Sequence, residues 1–526
     1  MRDFQLPGRS SVFAVNGMCA TSHPLAAKVA VQILESGGNA VDAAIAAAAL
    51  LGICEPHMCG IGGDCFVLIK PKGTERIVAL NGSGRASAAS DAGILRDQGK
   101  KFIDIKSIDS VTIPGAVDAF CRLSEDWGQI GLKASLAPAI HYATKGVPVG
   151  ARAAFDWVNN SERLQGVARG YFLFDGAPPR PGAVFRAPAH AKALQKIALE
   201  GRRGFYEGAV ADDMVKSLQA MGGVHTLDDF AATNSVYVDP ISGFYRDIEL
   251  VEHPPNGQGA TAILMNNILQ NFDLAALDPT GAQRAHLEAE ATKLAMDARD
   301  RFIADFDYTS RLEHMTAQET GTALAALINP RQANQDARIM SQSVHKDTSL
   351  LTVVDKDQMA VSLIYSLFHG FGSGLASDKY GIAFQNRGAG FTLESGHPNE
   401  LKGGKRPLHT IIPAMLKSKD KTFMPFGVMG GAYQPTGHSH VISNMVDFGM
   451  HPQAAIDAPR CFAVDGELQV ERGYSDDVRS KLSDMGHNVV VPLKPLGGAQ
   501  AILIDYDNGV LEGASDARKD GCALGY

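Results

Sequence analysis

From residue 348 onward the chain is written in pairs of short apolar runs joined by turn residues, and this pattern constrains the fold more than any other feature. SLLTVV and MAVSLIYSLF flank DKDQ, TIIPAML and FMPFGVMG flank KSKDKT, and AQAILIDY and VLEGAS flank the hairpin dipeptide Asn508-Gly509. Three successive hairpins predict antiparallel sheet. The earlier chain has another texture. HPLAAKVAVQILESGGNAVDAAIAAAALLG places apolar residues at helical spacing, broken at Gly37-Gly38, with Asn39 suited to cap the second helix. That helix is so rich in alanine that it must pack against other backbone rather than face water. A hairpin pattern follows, CFVLIK and RIVAL around PKGTE, and then the glycine-rich NGSGRAS. From about Ser107 to Asp347 the pattern is mainly helical. The expectation is one α/β unit in which hairpin-built antiparallel sheets are covered by helices, most strands lying after position 348.

Composition narrows the function. The chain has 526 residues, 45% hydrophobic and 20% charged, and no apolar stretch long enough to span a bilayer. A net charge of -8 without a basic patch argues against nucleic acid or a membrane surface as partner. The amino terminus lacks the apolar core of a secretory signal, and seven cysteines, an odd count, suit a reducing compartment, so a cytoplasmic location is expected. Cys54, Cys59 and Cys65 cluster with His57 and Asp64 in CEPHMCGIGGDC. Their spacing is not that of paired metal knuckles, so they read as buried thiols, and neither a metal nor a cofactor is expected.

Thr348 stands at the head of the first strand after the change of texture, and Ser366 lies in its hairpin partner. A threonine hydroxyl is a weak nucleophile that needs a base within reach. If the Asp347-Thr348 bond were cut, the new α-amine, with a pKa near 8, would supply that base on the same residue. Ser366 is placed to reach the amine or the hydroxyl. Spacing alone also allows a plain strand start with a solvated hydroxyl.

The chain resembles the γ-glutamyltranspeptidase family, through GGNAVDAAIAAA, GIGGD, IPGAVDAF, FYEGAVADDMV, PPNGQGATAILMNNIL, GKRPLHTIIPAML, GVMGG and SDARKDGCALGY in one order. The resemblance implies an α+β, four-layer αββα fold of the N-terminal-nucleophile hydrolases. It implies a precursor cut between Asp347 and Thr348 into a large segment, 1–347, and a small one, 348–526, that remain one intertwined unit, with a homodimer as the further association to test for. Thr348 would be the self-cleavage agent and the nucleophile, Ser366 its supporting hydroxyl, and Gly430 and Gly431 the backbone donors of an oxyanion hole. Arg85 would clamp a substrate carboxylate. Read alone, the glycine pair also fits a bulge and Arg85 a solvated loop.

Departures from the family pattern bear on the substrate. Where transpeptidases hold the γ-glutamyl α-amino and α-carboxylate groups, this chain has Phe368, Arg387, Gly390, His409 and Thr410. An acid is missing and an arginine stands near its place, which disfavours an ammonium and favours an anion. Similar patterns resemble a branch that includes oxamate amidohydrolases and glutathione hydrolase-like proteins. The expected activity is hydrolysis of a small carboxylate-bearing, oxamate-like amide through an acyl-threonine, with Arg85 and Arg387 on the anion and His409 and Thr410 lining its site. Glutathione hydrolysis or γ-glutamyl transfer, a cephalosporin-type acylase, and an inactive binding relative remain the alternatives. Whether residues 393–404, LESGHPNELKGG, close over the site as a lid is not set by the sequence.

Overall fold

The computed structural model describes residues 5, 8–334, 348–419 and 421–526. Its centre is a pair of seven-stranded antiparallel sheets packed face to face. The first sheet runs, edge to edge, through Cys522–Gly525, Met18–Thr21, Ser349–Val354, Ala360–Ser366, Asp64–Lys70, Val78–Gly82 and Val236–Val238. The second runs through Val12–Ala14, Val510–Ser515, Gly498–Asp505, Lys421–Met429, Ala414–Ser418, Ile248–Glu252 and Ile241–Tyr245.

Strand alternation assigns each face. In Ser349–Val354 and its partner, Leu351, Val353, Leu363 and Tyr365 join the core formed with the helices Pro24–Glu35 and Ala40–Cys54. The intervening residues point the other way. Leu350 and Ile364 meet Phe66 and Met429 between the sheets, and Val354, Ala360 and Leu68 meet Met415, Ile502 and Ile504 there. Beyond the second sheet, Leu250, Leu416, Phe426 and Val428 pack on the helices Gly259–Leu269, Ala282–Phe302 and Gln434–Val446. The layers are therefore helix, sheet, sheet, helix, the arrangement the sequence resemblance implied. Burying a Leu or Ile side chain in the middle layer contributes about 1.5–3 kcal/mol each.

The alanine-rich helix behaves as its composition demands. All of Ala40–Cys54 is buried, and Asn39 caps it in a reciprocal box with Asp42. Small side chains let backbones close in: a Cβ on Gly52 would lie 3.3 Å from the Cα of Gly60. The expected hairpins appear as Asp64–Lys70 with Val78–Gly82, Ser349–Val354 with Ala360–Ser366, Ala414–Ser418 with Lys421–Met429, and Gly498–Asp505 with Val510–Ser515. The stretch read as mainly helical also supplies three strands within Val236–Glu252, two of them a hairpin turning at Arg246 with φ +53°. They are short and partly exposed on the strand Ile241–Tyr245, so no long apolar run announces them.

Candidate active site

Register brings the chemistry-bearing residues into a row. The ladder between Ser349–Val354 and Ala360–Ser366 pairs Ser349 with Tyr365, so one step further Thr348 stands opposite Ser366. Ser366 in turn pairs with Asp64 of the adjacent strand. Thr348, Ser366 and Asp64 share the parity of Leu350, Ile364 and Phe66 and hence face the gap between the sheets at its end. All three are buried. Asp347, the other half of the expected cleavage site, lies outside the described residues.

Across the gap, the strand Lys421–Met429 ends at Gly430 and Gly431. Their φ angles of +128° and +59° are open to glycine at little cost, and they lead through a single tight turn into the helix Gln434–Val446. Gln258 holds this turn in place. Its Nε2 donates to the carbonyls of Gly431 at 2.8 Å and Thr410 at 2.7 Å, while its Oε1 accepts from Arg299 at 3.0 Å.

Arg387 is fully buried and reaches both sides of the row. Nη2 donates to Ser366 Oγ at 3.3 Å and Nη1 to Thr410 Oγ1 at 3.0 Å, and the guanidinium carbon lies 4.0 Å from the centre of the Phe368 ring. Ser366 Oγ also accepts the Phe368 N–H at 2.8 Å. Among the described residues no carboxylate comes within ion-pairing distance of Arg387, and its buried Nε has no hydrogen-bond partner. Burial pulls its pKa down to about 9, against the opposing field of Asp64, and the side chain is still a cation at neutral pH.

Asp64 is the hub of this end of the gap. One oxygen accepts from Gly84 N at 2.9 Å, Gly115 N at 3.1 Å and Gln385 Nε2 at 2.8 Å, and the other lies 3.1 Å from His409 Nε2. A carboxylate only accepts, so His409 carries its proton on Nε2. The ring packs on Phe66 at 4.5 Å, and burial together with Arg387 brings the His409 pKa down to about 3 even though Asp64 favours the charged form. His409 is a neutral, fully buried side chain.

Arg85 sits differently. Its side chain is 45% exposed, 3.4 Å from Asp305 and 2.9 Å from the Gly404 carbonyl. It follows Gly84, the donor to Asp64, so its loop borders the site. Arg406 lies on the same border, donating to the Ser83 and Asn234 carbonyls, and burial and neighbouring Arg85 lower its pKa to about 10. A Cβ on Gly390 would lie 2.8 Å from the Leu408 carbonyl, so that position is closed to a side chain unless the backbone shifts. The 393–404 segment is packed down: Leu393 and Leu401 share a small core with Ala86, Ala92, Leu95 and Ile103, and Arg96 bonds Glu400 at 2.6 Å.

Of the residues the sequence singles out, the fold gathers Thr348, Ser366, Gly430, Gly431, Arg387, His409 and Thr410 around one end of the gap and leaves Arg85 half-exposed at its border. Asp64, Gln258 and Gln385 were missed as site residues. Cys54, Cys59 and Cys65 are buried, and burial raises their thiols well above the usual range. Among the described residues one cluster of metal-capable groups occurs, where His286 and Glu290 of the helix Ala282–Phe302 meet His487. There His286 Nδ1 lies 2.8 Å from His487 Nε2 and Glu290 pairs with Lys293 at 2.5 Å, so these groups satisfy one another.

Two facing antiparallel sheets between helical layers, with a threonine heading an inner strand at their shared end, define the N-terminal-nucleophile hydrolases. The comparisons give the family. The gamma-glutamyltranspeptidase family model matches residues 26–526. The chain is 37% identical to the glutathione hydrolase-like YwrD proenzyme of Bacillus subtilis, over 98% of this chain and 99% of that one. It is 33% identical to the oxamate amidohydrolase proenzyme of Klebsiella pneumoniae, over 98% and 100%. A crystal structure of a cephalosporin acylase from Bacillus halodurans superposes with a TM-score of 0.92 at 37% identity, covering 100% of this chain and 99% of that one. The chain belongs to the γ-glutamyltranspeptidase family, as a proenzyme of an N-terminal-nucleophile hydrolase that acts on amide bonds.

Proposed function

We propose that the chain cuts itself before Thr348 and that the processed enzyme hydrolyses a small carboxylate-bearing amide, of which oxamate is the first candidate. The observation that carries this reading is Arg387, a buried cation bonded to Ser366 beside the nucleophile and without a carboxylate partner among the described residues. A substrate carboxylate is the partner it lacks. Because the guanidinium touches Ser366 Oγ, an acid bound there lies close to the carbonyl attacked, which suits a short acid better than a γ-glutamyl chain. The likeness to the Klebsiella pneumoniae oxamate amidohydrolase supports the same substrate class.

In this mechanism the Thr348 hydroxyl attacks the amide carbonyl and its proton passes to the freed α-amine. Ser366, opposite Thr348 across the strand pair, is the supporting hydroxyl, and its Oγ is held in place by the Phe368 N–H and Arg387 that donate to it. The N–H groups of Gly430 and Gly431 stabilise the oxyanion, and Gln258 fixes the turn that aims them. Collapse of the tetrahedral intermediate breaks the C–N bond, the α-ammonium gives its proton to the leaving nitrogen, and ammonia departs. Water then attacks the acyl-threonine ester, with the amine again as base, to release the acid and restore the hydroxyl. Thr410 and the neutral His409 shape the acid pocket, and Arg85 borders its entrance. The seven cysteines, free in the structure, support a reducing compartment such as the cytoplasm.

The test compares ammonia release from oxamate with glutamate release from glutathione by the purified, processed protein. A preference for oxamate of tenfold or more in kcat/KM is expected. Equal or better turnover of glutathione would overturn the substrate reading and favour the glutathione hydrolase alternative that the Bacillus subtilis relative suggests.

A further inference from the structure

Phe368 occupies a position that neither its local sequence nor its backbone makes comfortable. It follows the strand Ala360–Ser366 by two residues, is 3% exposed and has φ +84°, a region that bulky side chains avoid. Among the described residues, three contacts help to hold it there. Its N–H donates to Ser366 Oγ at 2.8 Å, its ring packs against His369 at 4.3 Å, and the ring centre lies 4.0 Å from the Arg387 guanidinium carbon. The last is a close cation–π contact that covers one face of the planar cation.

The remaining approaches to Arg387 can then be counted. The Phe368 ring closes a face, and Nη1 is tied to Thr410 Oγ1. Nη2 carries one bond, to Ser366, and Nε has no partner among the described residues. A guanidinium grips a carboxylate in its own plane through two parallel N–H bonds, and the edge formed by Nε and Nη2 is the one left for it. A carboxylate on that edge sits beside Ser366, with the Phe368 ring, stacked on the guanidinium and anchored through its own N–H to the same Ser366, filling volume next to it.

We infer that Phe368 is a specificity-determining residue, which roofs the Arg387 guanidinium and restricts the enzyme to short amides of dicarboxylic acids. The inference rests on Arg387 as the anion site proposed above.

Binding of the dicarboxylate products tests it without turnover. Calorimetric titration of the processed enzyme with oxalate and with glutarate is expected to show at least about tenfold tighter binding of oxalate. Phe368→Asn, a residue that tolerates positive φ and is shorter, is expected to cut that preference by about tenfold. Phe368→Leu, which keeps the apolar bulk but not the π face, is expected to weaken oxalate at least about threefold and keep the preference. Arg387→Met is expected to lose both ligands. If Arg387→Met abolishes oxalate binding while Phe368→Asn retains the wild-type preference, the role of Phe368 is refuted and the anion site stands. If Arg387→Met binds oxalate as tightly as the wild type, the anion site and the inference fall together. Should Phe368→Asn fail to accumulate, Phe368→Leu decides, and unchanged oxalate affinity overturns the roof.

Discussion

Replacing Arg387 by Met separates function from stability, because the two respond in opposite directions. In the site Arg387 gives up water on all sides and gains two neutral hydroxyl acceptors and an aromatic face, but no carboxylate among the described residues. A buried cation with no paired charge has given up hydration worth several kcal/mol, so an apolar side chain of similar length removes that cost, while loss of the cation–π contact takes back about 1–2 kcal/mol. Asp64 keeps its four donors in the variant and stays solvated by them. The expected melting temperature is therefore that of the wild type or slightly higher. Binding responds differently. A substrate carboxylate left without its buried partner loses about 2–4 kcal/mol, or about 30- to 1,000-fold in kcat/KM. Since the carboxylate is held in ground and transition states alike, the loss falls mainly on KM. Steady-state ammonia release from oxamate, with the uncharged diamide oxamide as control, and thermal melting of the same preparations measure both. A melting temperature lower by five degrees or more together with an unchanged KM for oxamate would show that Arg387 is a structural residue and refute the reasoning.

Gly430→Ala puts a Cβ at φ +128° and 2.9 Å from Gly497 Cα, so stability should fall by about 1–3 kcal/mol and kcat by about 100-fold or more with little change in KM, read from melting and steady-state kinetics. Gln258→Leu strands the Thr410 and Gly431 carbonyls and one donor of Arg299, so it should cost about 2–5 kcal/mol and lower kcat about tenfold or more. The acid limb of stability should depend on Asp516 in the SDARKDG segment: burial pushes its carboxyl up, but Arg460 and Arg518 outweigh burial and hold it well below the usual range. With the folded value depressed, its contribution is complete above the unfolded value of about 4 and is lost as pH falls below it. Asp516→Asn should destabilise the protein near neutral pH and flatten melting temperature against pH below about 4; an unchanged profile would contradict this.

The parts of the site that local patterning reaches were legible in the sequence. The turn DKDQ fixes the register of the hairpin that sets Ser366 opposite Thr348, and GVMGG announces a sharp turn after a strand. Asp64 was not legible, because it reads as one polar residue in a glycine-rich entry to a strand, and its donors come from 20, 51, 321 and 345 residues away. Gln258 likewise joins Thr410 and Gly431 only after two helices and a strand end have packed. The strands within Val236–Glu252 were passed over because they are short and mostly only half-buried, so no long apolar run marks them. Long-range polar contacts of this kind leave no periodicity, whereas caps and hairpins do.

The central claim is that Thr348 is released as an amino terminus and is itself the agent of its release. Intact-mass measurement and amino-terminal sequencing of the purified wild type and of Thr348→Ala test it directly. The account predicts fragments 1–347 and 348–526 from the wild type, the second beginning at Thr348, and a single uncut chain from the variant. A wild type that hydrolyses amides while remaining one chain, or a Thr348→Ala protein that still cleaves before position 348, would contradict it.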